Sequence, residues 1–499
     1  MGVKGQRRGV LALAAVALLL LAIPSAAVAV TAPTITSKPK TPTNARSATF
    51  KFTGGPDTVS FRCQLDGTGY AGCTSPRTYS SLSEGKHTFS VKAVGSGGAV
   101  SVGTSFTWRV DLTPPPPPTV AGIPTTTTST NAEFGLSNSE SGVTYRCKLD
   151  AAPWAGCGGR GYWGLGEGNH SLAVTASDVV GNVSAPTVVP WNVNFADMPA
   201  APCGDPTEPT GIRHLVVFVL ENRSYTHIIG EPGTTAANQA PFQNALAGQC
   251  GLATDYYGVT HPSLPDYMAM TAGETLFATD CNTCESDGDS IFSQLETAAL
   301  TWKTYAEDMP SPCFDQDARG VNYIRHHNPP IYFTRLAETC PTNDVPLGTT
   351  DGGNLASDLA DGALANVTFV IPNNCNNAHD ACTGTGMAVK QADNWLASWL
   401  PLVAQSPAYT SGETAVFITW DEGRGGTTGE DCLKTRSSGC HVVLLALQKN
   451  LAAGARNAAR ASHYDLLWTM EKLFGLPALG HAGDPGAVDL LAGFGLSGP

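Results

Sequence analysis

Positive charge is scarce in this chain. Its 499 residues include 29 Lys and Arg against 42 Asp and Glu, which gives a formal net charge of −13 with histidine neutral. A protein that binds a nucleic-acid backbone needs clustered lysine and arginine. The charge balance therefore argues against a nucleic-acid partner, although small anions held through a metal ion remain compatible with it.

Long hydrophobic runs are missing beyond the N-terminus. The first 29 residues have a basic start, an apolar run over 10–23 and the small residues Ala27-Val28-Ala29, which is the pattern of a cleaved signal peptide. No later run reaches the roughly 18 apolar residues of a membrane span. We therefore expect a signal peptide over 1–29 and a secreted mature protein without a transmembrane segment.

Fourteen cysteines fit that compartment, because disulfides persist outside the cell. Close spacing predicts five local pairs, namely Cys63/Cys73, Cys147/Cys157, Cys281/Cys284, Cys375/Cys382 and Cys432/Cys440. The pairing of the other four, Cys203, Cys250, Cys313 and Cys340, stays open. Half a zinc site at Cys281-x-x-Cys284 is an alternative, but no second ligand pair follows it, so we favour a loop disulfide.

An internal repeat organises the N-terminal part. FRCQLDGTGYAGC recurs 84 residues later as YRCKLDAAPWAGC, and EGKHTFSVKA recurs as EGNHSLAVTA. Alternating strands with turn residues predict two β-sandwiches of immunoglobulin type, over 30–112 and 113–195. Their matching histidines, His87 and His170, are interpreted as structural. The units resemble Ig-like repeats of secreted bacterial proteins, which implies contact with a cell surface or polymer.

The third segment has a different pattern. After a linker over 196–210, the domain 211–499 alternates buried-type strands with helices, which indicates an α/β fold with a largely parallel sheet. The predicted strands cover 213–220, 301–306, 366–371, 414–420 and 441–447, and the predicted helices 285–300, 389–404 and 462–475. We expect this domain to work without the two repeats, because each segment has its own core.

Two of these strands end in pairs of oxygen ligands. Glu221-Asn222 follows the run LVVFVL, and Asp421-Glu422 follows AVFITW. The carboxyl ends of parallel strands meet at one rim of the sheet, where α/β proteins place their sites. Carboxylates gathered there repel one another unless a hard cation lies between them. We therefore predict one divalent metal ion, with Mg²⁺, Ca²⁺ or Mn²⁺ favoured by the all-oxygen ligands.

The stretch VTHPSLPDYMAMTAG (259–273) is the second strong feature. It predicts a helix that Thr260 opens, and the N-terminus of a helix favours an anion such as phosphate. A threonine hydroxyl bound to a divalent cation can ionise and attack phosphorus. This chemistry makes Thr260 a candidate nucleophile. Ser263 is the competing nucleophile, and a capping role for both residues is the alternative.

These motifs resemble a known family. HLVVFVLENRSY, GVTHPSLPDYMAMTAG, RHHNPPIYF, IPNNCNNAHDAC, FITWDEG and SHYDLLWTMEKLFGLP occur in the order found in the phosphoesterase family of secreted acid phosphatases and phospholipase C enzymes. The resemblance covers 213–475. It implies that this α/β domain has a core like that of the alkaline-phosphatase superfamily and acts as a hydrolase. It also implies that the metal ligands are Glu221, Asn222, Thr260, Asp421 and Glu422.

The same resemblance implies roles for the polar residues of the loops. His261, His327, His379 and His463 correspond to residues that contact phosphate or transfer protons, while Ser263, His326 and Asp380 correspond to substrate-binding residues. The chain departs from the family in one motif. Members often carry Asn-Asp-Met-His-Asp where this chain has Asn376-Asn377-Ala378-His379-Asp380, and the missing carboxylate argues against a second metal ion.

The sequence thus predicts a secreted, metal-dependent phosphomonoesterase of the acid-phosphatase type that works through a phospho-threonine intermediate on small phosphorylated substrates. The alternative is a phosphodiesterase of the phospholipase C type, which would act on a phospholipid head group. A non-enzymatic adhesin with an inactive third domain is the remaining hypothesis.

Overall fold

The computed structural model describes residues 29–157, 161–162, 165–194, 197–199, 202–205, 211–231, 234–382 and 387–496. The predicted signal peptide, apart from its last residue, and half of the predicted linker lie outside these residues. No helix in the described ranges is long and apolar enough to cross a membrane.

The first repeat is an all-β unit. Its strands are β1 (Thr34–Ser37), β2 (Ala48–Thr53), β3 (Thr58–Leu65), β4 (Ala71–Cys73), β5 (Arg77–Tyr79), β6 (Gly85–Gly95) and β7 (Thr104–Val110). They form a four-stranded sheet in the order β4-β3-β6-β7 and a three-stranded sheet in the order β1-β2-β5. Alternate residues of β2 are buried, and Phe50, Phe89 and Trp108 fill the core.

The second repeat is also rich in strands. They are β8 (Thr119–Ala121), β9 (Thr126–Thr127), β10 (Ala132–Glu133), β11 (Gly135–Ser137), β12 (Thr144–Leu149), β13 (Ala155–Gly156), β14 (Gly161–Tyr162), β15 (Gly168–Ser177) and β16 (Thr187–Val193). The largest sheet has the order β13-β12-β15-β16-β9. Two β regions are thus present, and their assignment to the immunoglobulin class stays a prediction.

The paired histidines of the repeats are structural, as predicted. Nδ1 of His87 lies 2.7 Å from a carboxylate oxygen of Asp66, and Nε2 lies 2.9 Å from the Ser83 carbonyl. His170 makes the equivalent contacts with Asp150 and with the carbonyl four residues earlier, at 2.8 and 2.9 Å. Each ring has both nitrogens satisfied inside its own repeat, which leaves neither free for a ligand.

The third segment is an α/β domain. Its strands are β17 (His214–Leu220), β18 (Gly251–Ala253), β19 (Tyr256–Tyr257), β20 (Trp302–Ala306), β21 (Asp344–Pro346), β22 (Val367–Ile371), β23 (Thr414–Trp420), β24 (Leu444–Leu447), β25 (Ala455–Asn457) and β26 (Ala461–Ser462). The first three of the seven residues predicted as a strand over 441–447 precede β24, so that strand is shorter than expected. The predicted strands at 213–220, 301–306, 366–371 and 414–420 agree to within a residue.

Helices surround these strands. They are α1 (Tyr225–Ile228), α2 (Thr235–Gln239), α3 (Pro241–Gln249), α4 (Ser263–Ala272), α5 (Ile291–Thr297), α6 (Cys340–Asn343), α7 (Asn354–Ala360), α8 (Ala388–Gln405), α9 (Pro407–Thr410), α10 (Cys432–Thr435), α11 (His463–Leu473) and α12 (Leu490–Gly493). The predicted helix over 285–300 is only half as long in the structure, because Ser290 caps the start of α5.

Eight strands form one sheet, in the order β21-β20-β22-β17-β23-β24-β18-β25. Strands β17, β20, β21, β22 and β23 are parallel, while β24 pairs antiparallel with both β23 and β18. Every residue of β23 is buried, as is nearly all of β17, because helices cover both faces. The largely parallel sheet predicted from the sequence is confirmed.

Helix α4 begins three residues later than predicted. Pro262 is its N-cap in an extended conformation, and Ser263 is its first residue. The residue before a proline is disfavoured in the helical region, so the helix starts after the proline and excludes Thr260. The predicted end is confirmed, since Gly273 has a φ of 74° and closes the helix in the left-handed conformation.

All fourteen cysteines form disulfides. The five predicted local pairs are confirmed, and the four cysteines left open pair as Cys203–Cys250 and Cys313–Cys340. The bond between Cys281 and Cys284 rules out the alternative zinc half-site. Seven disulfides are compatible with an extracellular protein.

The second repeat is joined to the α/β domain by buried polar contacts. Thr128 donates to the Asp351 carboxylate at 2.8 Å, and the Asn131 amide donates to Glu307 at 2.8 Å. Glu307 is 4% exposed and also accepts from Asn376. Asn131 thus satisfies a buried carboxylate of the third domain, and the expectation that this domain works without the repeats stays a prediction.

Replacing Asn131 with alanine should lower the free energy of unfolding by about 1–3 kcal/mol, since a buried acceptor loses a partner. Asn169→Ala is the matched control, because it removes an exposed side-chain bond to Asn192 in the same repeat and should cost less than about 0.5 kcal/mol. Urea denaturation measures both. Equal losses for the two variants would show that the Asn131 contact adds nothing to stability.

Candidate active site

The two ligand pairs lie side by side at one rim of the sheet, as predicted. Strands β17 and β23 are parallel neighbours in which Leu220 is paired with Trp420, so Glu221 and Asp421 leave the sheet together. The backbone N–H of Asn222 donates to Oδ1 of Asp421 at 3.0 Å. Asn222 has a φ of 50°, a left-handed conformation that non-glycine residues adopt rarely and that clusters at functional sites.

Glu221 is the centre of a buried hydrogen-bond network. Its side chain is fully buried and accepts from the Tyr267 hydroxyl at 2.6 Å and from the Ser263 hydroxyl at 2.9 Å. Nε2 of His327 lies 3.3 Å from Oε1 of Glu221. Glu422 also approaches Ser263, at 3.5 Å. Three elements thus converge on one point: the end of β17, the end of β23 and the first turn of α4.

The structure places Ser263, and not Thr260, against the carboxylates. The Thr260 hydroxyl contacts the carbonyl of its own neighbour, His261, at 3.4 Å. Thr260 lines a separate cavity together with Glu430 and Asp431. This arrangement follows from the late start of α4, because the first-turn position that the sequence assigned to Thr260 belongs to Ser263.

Burial and mutual repulsion dominate the electrostatics of the cluster. Burial, followed by the charge of Asp421, raises the pKa of Glu221 well above its usual value. The same two causes raise the pKa of Glu422 to about 10. Burial also raises the pKa of Asp421. In the described part of the chain, no lysine or arginine lies within 4 Å of these three carboxylates.

The histidines divide into three groups. His261 pairs with Glu422, and His327 with Glu221; burial lowers the pKa of both rings. His463 is fully buried, and burial lowers its pKa to about 4. Its Nε2 contacts the backbone carbonyl of Asp421. His463 therefore supports the rim of the sheet and has no exposed face for a substrate.

The two remaining histidines lie further out. Nε2 of His326 is 3.8 Å from the Asp280 carboxylate, which also accepts from the backbone N–H of Leu264 in α4. His379 is exposed and pairs with Asp380 at 2.9 Å. It is linked to the cluster through Asn377, whose amide lies 3.5 Å from the ring of His327.

Sequence reasoning missed three residues of the site. Asp266 is fully buried and accepts from the backbone of Val259 and Thr260, and Tyr267 binds Glu221. Asp266 follows Ser263 by three residues and Tyr267 by four, so all three lie on one face of α4. This spacing could have identified them from the sequence. Asp280 comes from a loop, and no sequence pattern distinguishes it from other surface acids.

The cluster fits a divalent cation. Oδ2 of Asp421 is buried without a hydrogen-bond partner in the described structure, and the imidazoles around the carboxylates are held neutral by burial. Buried negative charge that the protein does not neutralise calls for a metal ion. Glu221, Asn222, Ser263, Asp421 and Glu422 offer only oxygen ligands, with Asn222 contributing its amide oxygen, and such a set suits Mg²⁺, Ca²⁺ or Mn²⁺.

A methyl group at Gly426 would overlap the His261 ring, because an ideal Cβ at that position meets Nε2 of the imidazole. We expect Gly426→Ala to displace His261 from Glu422 and to lower kcat/KM by about tenfold or more, since small misplacements of site residues are costly. Gly248→Ala, in α3 with open space around it, is the control. Unchanged kcat/KM in a folded Gly426→Ala protein would show that His261 has no role in catalysis.

Comparison with known proteins identifies the family of this chain. The model of the phosphoesterase family matches residues 232–477. A phosphatidylinositol-3-phosphatase of Mycobacterium tuberculosis is 31% identical over 309 residues, which cover 61% of this chain and 89% of that protein. An acid phosphatase of Aspergillus fumigatus is 29% identical over 47% of this chain, and the chain spans about half (51%) of that relative's length.

Among solved structures, a Vibrio parahaemolyticus protein of the alkaline phosphatase superfamily is similar with a TM-score of 0.38 and 13% identity, over 56% of this chain and 72% of that one. The sequence relationships define the class of protein. This chain belongs to the phosphoesterase family. It is a hydrolase that acts on phosphoric ester bonds.

Proposed function

We propose that the protein is a secreted, metal-dependent phosphomonoesterase that forms a covalent phosphoserine on Ser263. The observation that carries this proposal is the Ser263 hydroxyl, which opens α4 and donates to Glu221 at 2.9 Å beside Asp421 and Glu422. A hydroxyl next to a proton acceptor at a helix N-terminus is suited to attack a phosphate group.

The residues divide the chemistry between them. Glu221 takes the proton of Ser263 as the Oγ–P bond forms, because its carboxylate already accepts the hydrogen bond of that hydroxyl. The ester P–O bond breaks, and the leaving oxygen takes a proton from solvent. Water then attacks the phosphoserine, the Oγ–P bond breaks, and inorganic phosphate leaves while Ser263 regains its proton from Glu221.

The surrounding residues orient this pair. Tyr267 and His327 both contact Oε1 of Glu221, which leaves Oε2 to Ser263. Tyr256 and the carbonyl of Asp421 contact the two ring nitrogens of His463. A divalent ion bound by Glu221, Asn222, Ser263, Asp421 and Glu422 would lower the pKa of the serine hydroxyl and neutralise the charge of the phosphoryl oxygens. Asn377 stands where family members often carry an aspartate. The loss of that carboxylate favours a single bound ion over two.

A phosphodiesterase of the phospholipase C type remains the second candidate, because the same serine and carboxylates would serve a diester. The adhesin hypothesis loses its support, since the chain belongs to an enzyme family and the candidate catalytic groups converge. Thr260 as nucleophile is the competing form of the first candidate, although its hydroxyl lies apart from the carboxylates.

The purified mature protein should hydrolyse p-nitrophenyl phosphate, and chelation of divalent ions should abolish that activity. Much slower hydrolysis of bis-p-nitrophenyl phosphate and of phosphatidylcholine would establish the monoesterase. Faster release from either diester would instead support the phospholipase C type, and no hydrolysis of any of the three under metal-replete conditions would contradict the proposal.

A further inference from the structure

A cationic cavity borders the carboxylate cluster. It has a volume of about 390 Å³, and its polar lining includes Arg223, His227, His379 and Arg424. Arg223 follows Asn222 directly, and Arg424 lies two residues after Glu422. Each arginine therefore belongs to the same strand-end turn as a pair of candidate metal ligands, so the cavity lies on the side of those two turns.

Hydrogen bonds hold the two turns together. Arg223 donates from Nη1 to the Asn222 carbonyl at 2.8 Å and from Nη2 to the His379 carbonyl at 3.3 Å. The backbone N–H of Arg424 donates to the Ser224 hydroxyl at 3.1 Å. The Arg223 guanidinium is thus fixed at the wall of the cavity, with donors remaining for a ligand.

The positive charge in this cavity is not neutralised by a direct ion pair in the described part of the chain, although Asp380 lies close enough to act on Arg223. In the described part of the chain, neither Arg223 nor Arg424 lies within 4 Å of a carboxylate, and Asp380 is paired with His379 instead. Two like charges in a partly buried cavity repel each other, and a bound anion relieves that repulsion.

The cavity on the Thr260 side has the opposite character. Glu430, Asp431 and Asp484 line it together with Lys434, which pairs with Asp431, and His481, which pairs with Asp484, so negative charge is in excess there. A phosphorylated molecule bound at Ser263 therefore gains electrostatically by extending toward the arginines and loses by extending toward Thr260. This charge difference predicts that the rest of a bound substrate extends from Ser263 toward the arginines.

We infer that Arg223 and Arg424 bind a second anionic group of the substrate, a carboxylate or a further phosphate, while its ester phosphate lies at Ser263. The inference rests on the proposed function and specifies the substrate class: small phosphomonoesters with a second anion. Arginine suits both groups, because its planar guanidinium donates two parallel hydrogen bonds to carboxylate or phosphate oxygens.

Paired substrates test this assignment kinetically. 2-Phosphoglycerate differs from glycerol 2-phosphate by a carboxylate, and propane-1,3-diol bisphosphate differs from its monophosphate by a second phosphate, so the two pairs separate the two anions. In the unmodified protein kcat/KM should be higher for the doubly anionic member. Arg424→Gln should lower the ratio of kcat/KM within a pair by about tenfold, as expected for one charge-assisted contact.

Arg213→Gln is the matched control. It removes the same charge at the amino end of β17, where Arg213 pairs with Glu413, and should leave the ratio unchanged. A ratio unaffected by Arg424→Gln would overturn the inference. An equal loss for both members of a pair would overturn it as well, because the arginine would then bind the ester phosphate itself.

Binding separates this inference from the proposed function. In calorimetric titrations of Ser263→Ala protein, 2-phosphoglycerate should bind about tenfold more tightly than glycerol 2-phosphate, and Arg424→Gln should remove that difference. Equal affinities would overturn the inference even if the unmodified protein hydrolyses both compounds. Tighter binding of the dianion without any hydrolysis would leave the inference standing and contradict the proposed function.

Discussion

Replacing Ser263 with alanine should lower kcat by about 10³-fold or more, because it removes the hydroxyl that would attack phosphorus. The substitution deletes one oxygen in the first turn of α4 and leaves the apolar residues of that helix in place, so the fold should persist. Steady-state hydrolysis of p-nitrophenyl phosphate measures the loss. Circular dichroism and the melting temperature establish that the variant is folded.

Thr260→Ala is the control that separates the two hydroxyls. Since its hydroxyl contacts the carbonyl of His261, we expect a loss within about tenfold. Acid trapping of the phosphoenzyme followed by mass spectrometry locates the phosphate. Phosphate on Thr260, together with the larger kinetic loss for Thr260→Ala, would restore the assignment that the sequence suggested and reject Ser263.

Removing the divalent ion should abolish activity, and Asp421→Asn should have nearly the same effect. Asp421 is fully buried at the end of β23, with one carboxylate oxygen free of hydrogen bonds for a ligand. Loss of a metal ligand or of the ion removes the charge that stabilises the transferring phosphoryl group, at a cost of about 10²-fold or more in kcat. Chelation and back-titration with Mg²⁺, Ca²⁺ or Mn²⁺ identify the ion that restores turnover.

Asp344→Asn is the matched control for that experiment. Asp344 is another fully buried carboxylate of the same domain, bound to Asn328, and burial raises its pKa to about 8. Its substitution should leave metal affinity unchanged. If Asp421→Asn and Asp344→Asn bound the ion equally well in calorimetry, the strand-end cluster would not be the metal site.

The same cluster should make the metal-free protein sensitive to alkali. The pKa of Glu422 is about 10 when folded and about 4.3 when unfolded, so the folded state binds the proton more tightly between these values. Stability of the metal-free protein should therefore fall as pH rises through that window. A bound divalent ion favours the ionised form and should raise the melting temperature more at pH 8 than at pH 5. Equal metal-induced shifts at the two pH values would contradict this linkage.

The sequence by itself determined the local elements and the two ligand pairs. Unbroken apolar runs before Glu221 and Asp421 allow only fully buried strands, and parallel strands carry their site residues at one end. Five disulfides followed from short spacings, because close cysteines have few other partners. The repeat could be recognised in the sequence because two units with the same strand pattern need similar residues at their buried positions.

The tertiary structure alone decided which hydroxyl meets the carboxylates. Thr260 and Ser263 are three residues apart, and a start of α4 at either one fits the local pattern; the extended Pro262 sets it at Ser263. It also decided the contacts of Asn131, Asp280 and Arg424, since each contacts a residue far away in the chain. Contacts of that kind depend on how the elements pack, and no periodicity in the sequence encodes them.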